Sequence, residues 1–267
     1  MGLLKVGMVS VDGTHMKANA SKHKSVRYDR AEKADAEPVE DGQKLPQEIA
    51  RREALLEKMR WARQELEKRA KGEQGKQEDQ TKPRGPTSGG ESPAEKPKET
   101  QQINLTNPDS ALMRKSRRDS YEQAYNAQTV VDTDGSQLIL ATDVIATPSD
   151  ANELEAALDK VVESVGTVQG MLADGGYVNV DYRPSKKRPA KKVVDPRLIA
   201  MREKVTSEEG KRTYGKRASS VEPVFGIIKS AMGLRQFLLR GIAKVCIEWD
   251  LACLAYNMRR LWSLTNA

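Results

Sequence analysis

Three acidic residues in this sequence stand where carboxylates could bind a metal ion. Asp12 and Asp174 each follow a short apolar run and precede a glycine, whereas Glu222 opens an apolar helical pattern. Ligands tend to bind at the carboxyl ends of strands in α/β sheets, and glycine allows a close approach. Hard cations such as Mg²⁺ prefer carboxylate oxygens, and a pair of them stabilises both oxygens of a phosphoryl displacement. Together the three residues predict a site for phosphoryl transfer.

Each of these residues has a simpler interpretation when it is taken alone. Asp-Gly pairs are typical of turns, and an acidic residue in the first turn of a helix complements the helix dipole. The hypothesis therefore depends on whether the chain brings the three carboxylates together, which spacing alone does not establish. Like charges at close range raise each other's pKa, so convergence also requires a metal ion to hold the carboxylates together.

The elements around these residues predict a mixed α/β fold. Residues 3–11 are rich in β-branched side chains and are expected to form a strand that ends at Asp12-Gly13. Turn signals and apolar periodicity then predict a hairpin, a helix, a short strand and two final helices. Their ranges are 127–131 with 137–145, a helix opening at 148–150, 168–173, 219–232 and 242–264. The last helix carries a stripe that we interpret as core: Ile242, Val245, Cys246, Trp249, Cys253 and Tyr256.

A long polar insertion follows the first strand. Residues 46–71 predict a charged helix, for which a solvated helix or one arm of a helical hairpin is favoured over a coiled coil. The stretch that follows has too few apolar side chains to offset its ordering entropy, so it is expected to be disordered. The predicted organisation is the first strand and a polar segment (1–41), the helical insertion (42–71), the linker (72–102) and the remaining catalytic domain (103–267).

Charge and composition limit the class of protein. The chain has 267 residues and a net charge of +7, and residues 183–217 alone carry 13 Lys and Arg against 4 Asp and Glu. This local surplus of nine favours a phosphate-bearing partner over the alternative of a flexible basic tail. No run of about 18 apolar residues predicts a membrane span, and no signal peptide is evident.

Cysteine and histidine usage points to a reducing compartment. Cys246 and Cys253 would lie roughly 10.5 Å apart on one helix, too far for a disulfide. Neither the cysteines nor His15 and His23 have the spacing of a zinc site. We therefore expect a cytoplasmic protein.

Several motifs in order along the chain resemble the DDE-type insertion-sequence transposases, the cut-and-paste class with a ribonuclease H-like catalytic domain. The last group resembles the family's Tyr-Arg-Glu-Lys signature, with six residues between Glu222 and Lys229 as in that signature. Four residues separate Arg217 from Glu222, where the signature usually has three. The matching stretches are residues 11–14, 17–22, 104–110, 125–128 and 173–177, followed by Tyr214, Arg217, 221–226 and Lys229.

The resemblance implies a fold, a site and a reaction. The fold would be a ribonuclease H-like mixed sheet with flanking helices, interrupted by the helical insertion and the linker. Asp12, Asp174 and Glu222 would form a catalytic triad that binds two Mg²⁺ or Mn²⁺ ions. The DNA-binding residues would be Lys229, Arg217 and Tyr214.

The reaction implied is metal-dependent DNA strand cleavage and transfer during transposition. The partner would be double-stranded DNA, both as transposon ends and as target; no membrane is involved, and a homo-oligomer is left open.

Two departures from the family pattern favour an alternative. The chain begins only a few residues before its first strand, and only 36 residues separate Tyr177 from Tyr214, where the family usually has another helix and strand. These departures predict an N-terminally truncated and internally deleted copy. The alternative function is a catalytically inactive DNA-binding remnant. A coiled-coil interaction protein based on residues 46–71 is the third interpretation.

Overall fold

The structure is a computed structural model, and it describes residues 7–36, 46–78, 97–114, 116, 118–151, 153–177 and 196–266. The described part of the chain alternates strands and helices. In chain order the elements are β1 (Met8–Lys17), β2 (Ser25–Arg27), α1 (Tyr28–Ala36), α2 (Pro46–Glu78), β3 (Gln102–Asn104), β4 (Ala111–Met113), β5 (Glu122–Asp132), β6 (Ile139–Ile145), α3 (Glu153–Val165), β7 (Gly170–Leu172), α4 (Pro196–Thr206), α5 (Glu208–Gly226) and α6 (Ile242–Thr265).

The chain divides into two compact units. The first, here called the sheet unit, combines Met1–Asn19 with Leu112–Ala267, and the second, the insert unit, is Ala20–Ala111. This division differs from the predicted ranges, which placed residues 20–41 and 103–111 in the catalytic domain. Both segments belong to the insert unit because β2 and β3 pair antiparallel, with Val26 opposite Ile103.

The sheet unit is built around β1. This strand pairs antiparallel with β5, from Val9 opposite Asp132 to Lys17 opposite Ala124, and parallel with β7. The strand order is β4-β5-β1-β7, with β6 paired to β5. The mixed α/β fold is therefore confirmed, and it is consistent with a ribonuclease H-like domain.

The expected end of the first strand at Asp12-Gly13 is wrong. β1 continues to Lys17 because its partner β5 is long enough to satisfy the backbone groups beyond Gly13. Asp12 consequently lies inside a strand and not in a turn. Leu3–Val6, the first residues of the predicted strand, lie outside the described residues.

The predicted hairpin between β5 and β6 is confirmed. The two strands pair antiparallel, with Val130 opposite Ala141. The buried carboxylate of Asp132 closes the turn by accepting hydrogen bonds from the Ser136 amide (3.1 Å) and hydroxyl (2.6 Å). Gly135 adopts a φ of 115°, which an L side chain rarely adopts.

One apolar core lies between the sheet and α3. On α3, Ala157 and Val161 are buried, whereas Val162 is exposed. These side chains pack on Val9 and Val11 of β1, together with Tyr177. The core thus fixes β1 and the segment after β7 in place, and these are the two elements that carry Asp12 and Asp174.

The inner face of α6 packs mainly against β6, and Trp249 also reaches β5 and the end of α5. The predicted core stripe is confirmed at Val245, Trp249, Cys253 and Tyr256, which are buried. The Trp249 indole donates a hydrogen bond to the Gln128 carbonyl (3.0 Å) and its ring stacks on Phe225 (centroids 6.4 Å apart). Both cysteines are free thiols. No helix in the described ranges is long and apolar enough to cross a bilayer.

The insert unit is held by few apolar side chains. α2 packs against α1 as one arm of a helical pair, and their core consists of Tyr28, Ala62, Leu66 and Ile103. The predicted helix end at residue 71 is too early, since α2 continues to Glu78 despite the glycines at positions 72 and 75.

The predicted disordered linker differs from the structure at both ends. Residues 72–78 belong to α2, and Gln101 accepts a backbone hydrogen bond from Tyr28 (2.9 Å). The remainder of the predicted linker, residues 79–96, lies outside the described residues.

Candidate functional site

The register between β1 and β7 places two of the candidate carboxylates side by side. The strands are parallel and Ser10 pairs with Leu172, so Asp12 and Asp174 each lie two residues beyond the same pair. Asp12 accepts a hydrogen bond from the Gly13 amide (3.0 Å), and Asp174 accepts one from the Gly176 amide. The sequence therefore brings these two acids together through strand pairing alone.

The third carboxylate is carried by α5. This helix begins at a Ser207 cap, whose hydroxyl accepts from the Gly210 amide (3.0 Å), and so starts eleven residues before the predicted position at 219. Pro223 lies inside the helix, and residues Ile227–Ala231 continue it as a π-helical turn. Such turns are frequent at functional sites.

Arg217 of α5 lies among the three carboxylates. Its guanidinium nitrogens are 2.8 Å from Asp12, 4.0 Å from Asp174 and 3.9 Å from Glu222. The arginine side chain is 12% exposed and that of Asp12 is 19% exposed, whereas Asp174 and Glu222 face solvent more openly. The structure therefore gathers the predicted triad around one positive charge.

Burial and charge act in opposite directions in this cluster. Burial raises the pKa of the Asp12 carboxyl, and the neighbouring Arg217 offsets only part of this effect. For Arg217, burial opposes the charged form, but Asp12 and its neighbours outweigh it and raise the pKa of the guanidinium. Asp12 and Arg217 therefore form an ion pair whose attraction offsets part of the cost of removing both charges from water.

The donor set suits a hard divalent cation in its chemistry. All three side chains offer carboxylate oxygens, the ligands that Mg²⁺ and Mn²⁺ prefer. As the side chains stand, no three His, Cys, Asp or Glu residues of the described ranges are grouped closely enough to hold a metal ion. The carboxylates are instead spaced around the guanidinium of Arg217.

The other predicted contacts with DNA lie in different surroundings. Lys229 donates hydrogen bonds from Nζ to the Thr14 hydroxyl and to the His15 carbonyl (3.2 Å), which ties the π-helical turn to β1. Tyr214 is 37% exposed, one helical turn before Arg217. Arg217 itself points towards the carboxylates and not towards open solvent.

A groove beside Lys229 concentrates positive charge. Four of its lining residues are cationic side chains, and two are acidic, Asp119 and Glu122. The cations are Lys17, Arg114, Lys229 and Arg235, whereas burial lowers the pKa of His15, which also lines the groove. An anionic backbone is the kind of ligand that such a groove would accept.

A fourth carboxylate, Asp150, was missed as a candidate site residue. The side-chain amides of Asn126 (2.7 Å) and Gln128 (3.0 Å) donate to its Oδ1. The signal for it in the sequence was the pair of amides two residues apart on β5, a strand that is buried at nearly every position.

The glycines predicted to allow close approach lie against Asp150. A Cβ at Gly13 would stand 2.8 Å from Oδ1 of Asp150, and one at Gly176 would stand 3.4 Å from both Asp150 Oδ2 and Asp174 Oδ1. Their lack of a side chain thus lets β1 and the turn after β7 approach this acid.

Three buried polar atoms beside these acids have no hydrogen-bond partner: the Tyr177 hydroxyl, the Asn126 Oδ1 and the Arg217 Nε. Tyr177 and Asn126 are at most 3% exposed. Burial raises the pKa of the Tyr177 hydroxyl, and the charges of Asp150 and Asp12 raise it further. The phenol therefore stays protonated and can donate a hydrogen bond.

The fold and the carboxylate cluster define a class of protein, a mixed α/β domain that collects acidic side chains at one end of parallel strands. Residues 183–262 match the transposase DDE domain family, which confirms the resemblance to DDE-type transposases over this part of the chain. No curated protein matches the chain. No solved structure matches it either.

Proposed function

We propose that this protein is a transposase that cleaves and joins DNA strands in a metal-dependent reaction. The observation that carries the proposal is the convergence of Asp12, Asp174 and Glu222, from three separate elements, on one cation. The sequence match to a transposase DDE domain supports it, because Arg217, Glu222 and Lys229 all lie within the matched residues.

In this proposal Asp12, Asp174 and Glu222 bind two Mg²⁺ or Mn²⁺ ions. When bound, such ions activate a water or a 3′-hydroxyl as the nucleophile and stabilise the leaving oxygen of the scissile phosphodiester. Arg217 would have to leave Asp12 for the ions to bind, because its guanidinium contacts the carboxylate that would hold them. The released guanidinium could then donate to a phosphate.

The DNA contacts follow from the basic groove. Lys229, which lines the groove, would position the phosphate backbone of transposon ends and target together with Arg217 and Tyr214, which lie outside it. The other cations of the groove would extend that contact. The proposed partner is double-stranded DNA. The proposed location is the cytoplasm, in agreement with the two free thiols.

One observation favours a second candidate function, a DNA-binding remnant without activity. Arg217 is charged, largely buried and paired with Asp12 at 2.8 Å, so it would compete with a metal ion for this carboxylate. If that competition is never lost, the protein retains its basic groove but cannot catalyse the reaction.

Thermal unfolding with and without millimolar Mn²⁺ tests the proposal. A ligand that binds only the folded state raises the midpoint, so Mn²⁺ should raise it for the wild type and not for Asp174→Asn. Asp159→Asn, an exposed aspartate of α3, is the matched control and should respond as the wild type does.

Strand cleavage of supercoiled DNA by the same three proteins completes the test. Cleavage by the wild type and by Asp159→Asn, but not by Asp174→Asn, would support the transposase. Salt-dependent DNA binding with no Mn²⁺ effect on the midpoint and no cleavage would establish the remnant instead.

A further inference from the structure

Helix α6 is apolar on two faces, and the sheet unit covers only one of them. The inner face is buried, as described above. The outer face carries large apolar side chains of which Leu251 is 61% and Met258 is 64% exposed. Its members, here called the outer seam, are Ile247, Leu251, Leu254, Met258 and Leu261.

An exposed apolar surface of this kind marks an interaction site. A helix that is apolar all round is normally buried on all sides, and contiguous apolar patches on soluble domains are rare unless they bind something. Trp262, which is 70% exposed, borders the outer seam at its carboxyl-terminal end. The described parts of the chain leave all six of these side chains accessible.

The spacing of the outer seam indicates the shape of its partner. Successive members are separated by four, three, four and three residues. This alternation is the a and d pattern of a coiled coil, in which each side chain inserts between four residues of a facing helix. The inner face has no such regular alternation: Val245, Trp249, Cys253 and Tyr256 pack against a sheet and a helix end. The partner of the outer seam is therefore an α-helix with an apolar seam of its own.

We propose that the outer seam joins two copies of this chain through their α6 helices. A two-fold pair presents the same seam from both sides, which satisfies the need for an apolar helical partner without any other protein. The positions that flank the centre of the seam are Ala255 and Asn257, so no like charges oppose each other there. The outer seam differs in this respect from the basic groove, where two copies with net positive charge would repel each other.

The area of the patch fits such a dimer. The exposed fractions of the outer seam and Trp262 amount to roughly 700 Å² of apolar surface per copy, near the roughly 800 Å² that each partner buries in a standard interface. Leu238 and Leu239, which are 73% and 44% exposed, precede α6 and add to the apolar surface of this part of the sheet unit.

Sedimentation velocity of the full chain, from about 0.5 to about 50 μM, tests the proposal without DNA or metal. We expect the wild type to reach twice the chain mass within this range. Leu254→Glu places a charge at the middle of the seam, and its dimer dissociation constant should rise at least about 100-fold. Because Leu254 is 56% exposed in the single chain, the variant should keep the circular dichroism of the wild type.

Two further proteins decide the outcome. Ser263→Glu adds the same charge at an exposed position of α6 outside the seam and should dimerise like the wild type. Leu251→Glu should behave like Leu254→Glu. A wild type that stays monomeric at the highest concentration, or a dimer that survives both seam substitutions, would overturn the proposal.

Discussion

Two arginines of this chain sit among carboxylates, and they do so in different ways. Arg69 on α2 in the insert unit pairs with Glu65 (3.0 Å), one helical turn away, and with Asp109 (3.4 Å). Its side chain is 33% exposed. Arg217 in the sheet unit is only 12% exposed and faces carboxylates from a strand, a turn and its own helix.

The two clusters differ in how their acidic residues are brought close to the arginine. On α2 the Arg69–Glu65 pair is local, so the helix itself brings both partners together and their interaction is worth a few tenths of a kcal/mol. Around Arg217 the fold assembles acids that are far apart in sequence, and their mutual repulsion would be costly without a cation. In the proposed function, the second arrangement would hold the three acids together until metal ions bind.

The largest expected effect comes from the acid nearest to Arg217. Asp12→Asn keeps the shape of the side chain but removes a charged ligand, so Mn²⁺ affinity and strand cleavage should each fall at least about 100-fold. Glu65→Gln, the corresponding change on α2, should leave both unchanged. Mn²⁺ titration by calorimetry and a cleavage time course measure the two quantities. Equal loss in both variants would mean that the two clusters do not differ in function.

A smaller effect of opposite sign is expected from the arginine itself. Arg217→Gln removes the competitor for Asp12, so Mn²⁺ should bind about tenfold more tightly, a gain of about 1.4 kcal/mol. Without metal the same variant should be less stable than the wild type, because the three carboxylates lose their counter-ion. Arg69→Gln is the matched control.

Calorimetric titration and urea unfolding measure these two outcomes. Unchanged or weaker metal binding by Arg217→Gln would show that the guanidinium supports the site and does not compete for it.

The smallest effect concerns a hydrogen bond in the insert unit. The Tyr28 hydroxyl donates to Glu67 (3.0 Å), which also accepts from Arg63 (3.0 Å), so Tyr28→Phe leaves the carboxylate with its arginine. The free energy of unfolding should fall by about 0.5–1.5 kcal/mol, with or without Mn²⁺. Tyr121→Phe, at a side chain that is 48% exposed, is the control. If the loss of unfolding free energy in Tyr28→Phe depended on Mn²⁺, the two clusters would not differ in the way described.

Much of the sheet unit could be predicted from the sequence because its patterns are strong. The hairpin of β5 and β6, the parallel strand before Asp174 and the inner stripe of α6 follow from alternation, turn residues and helical spacing. Element ends were harder. β1 passes through Asp12-Gly13 because a long partner strand decides its length, and turn propensity cannot reveal that.

The residues of the site could be predicted from the sequence, but their arrangement could not. The three acids were identified by type and position, yet Arg217 was expected to face DNA and instead lies among them. Side-chain direction on a helix depends on what the sheet presents, here the carboxylate of Asp12 to Arg217 in the middle of α5. Asp150 was interpreted as a helix start because its two amide partners lie 22 and 24 residues earlier in the chain.

The insert unit can vary because it joins the sheet at the open end of the β1–β5 pair. Lys17 pairs with Ala124, and the Ala18 amide donates to the Gln123 carbonyl (2.8 Å), so the sheet is already closed where the chain departs. Loop-closure entropy grows only slowly with length. A recombination event that exchanged residues 20–111 for a shorter or longer cassette would therefore leave the strand pairing that carries Asp12 intact. This position therefore accepts insertions of different length, because the sheet that carries Asp12 does not depend on them.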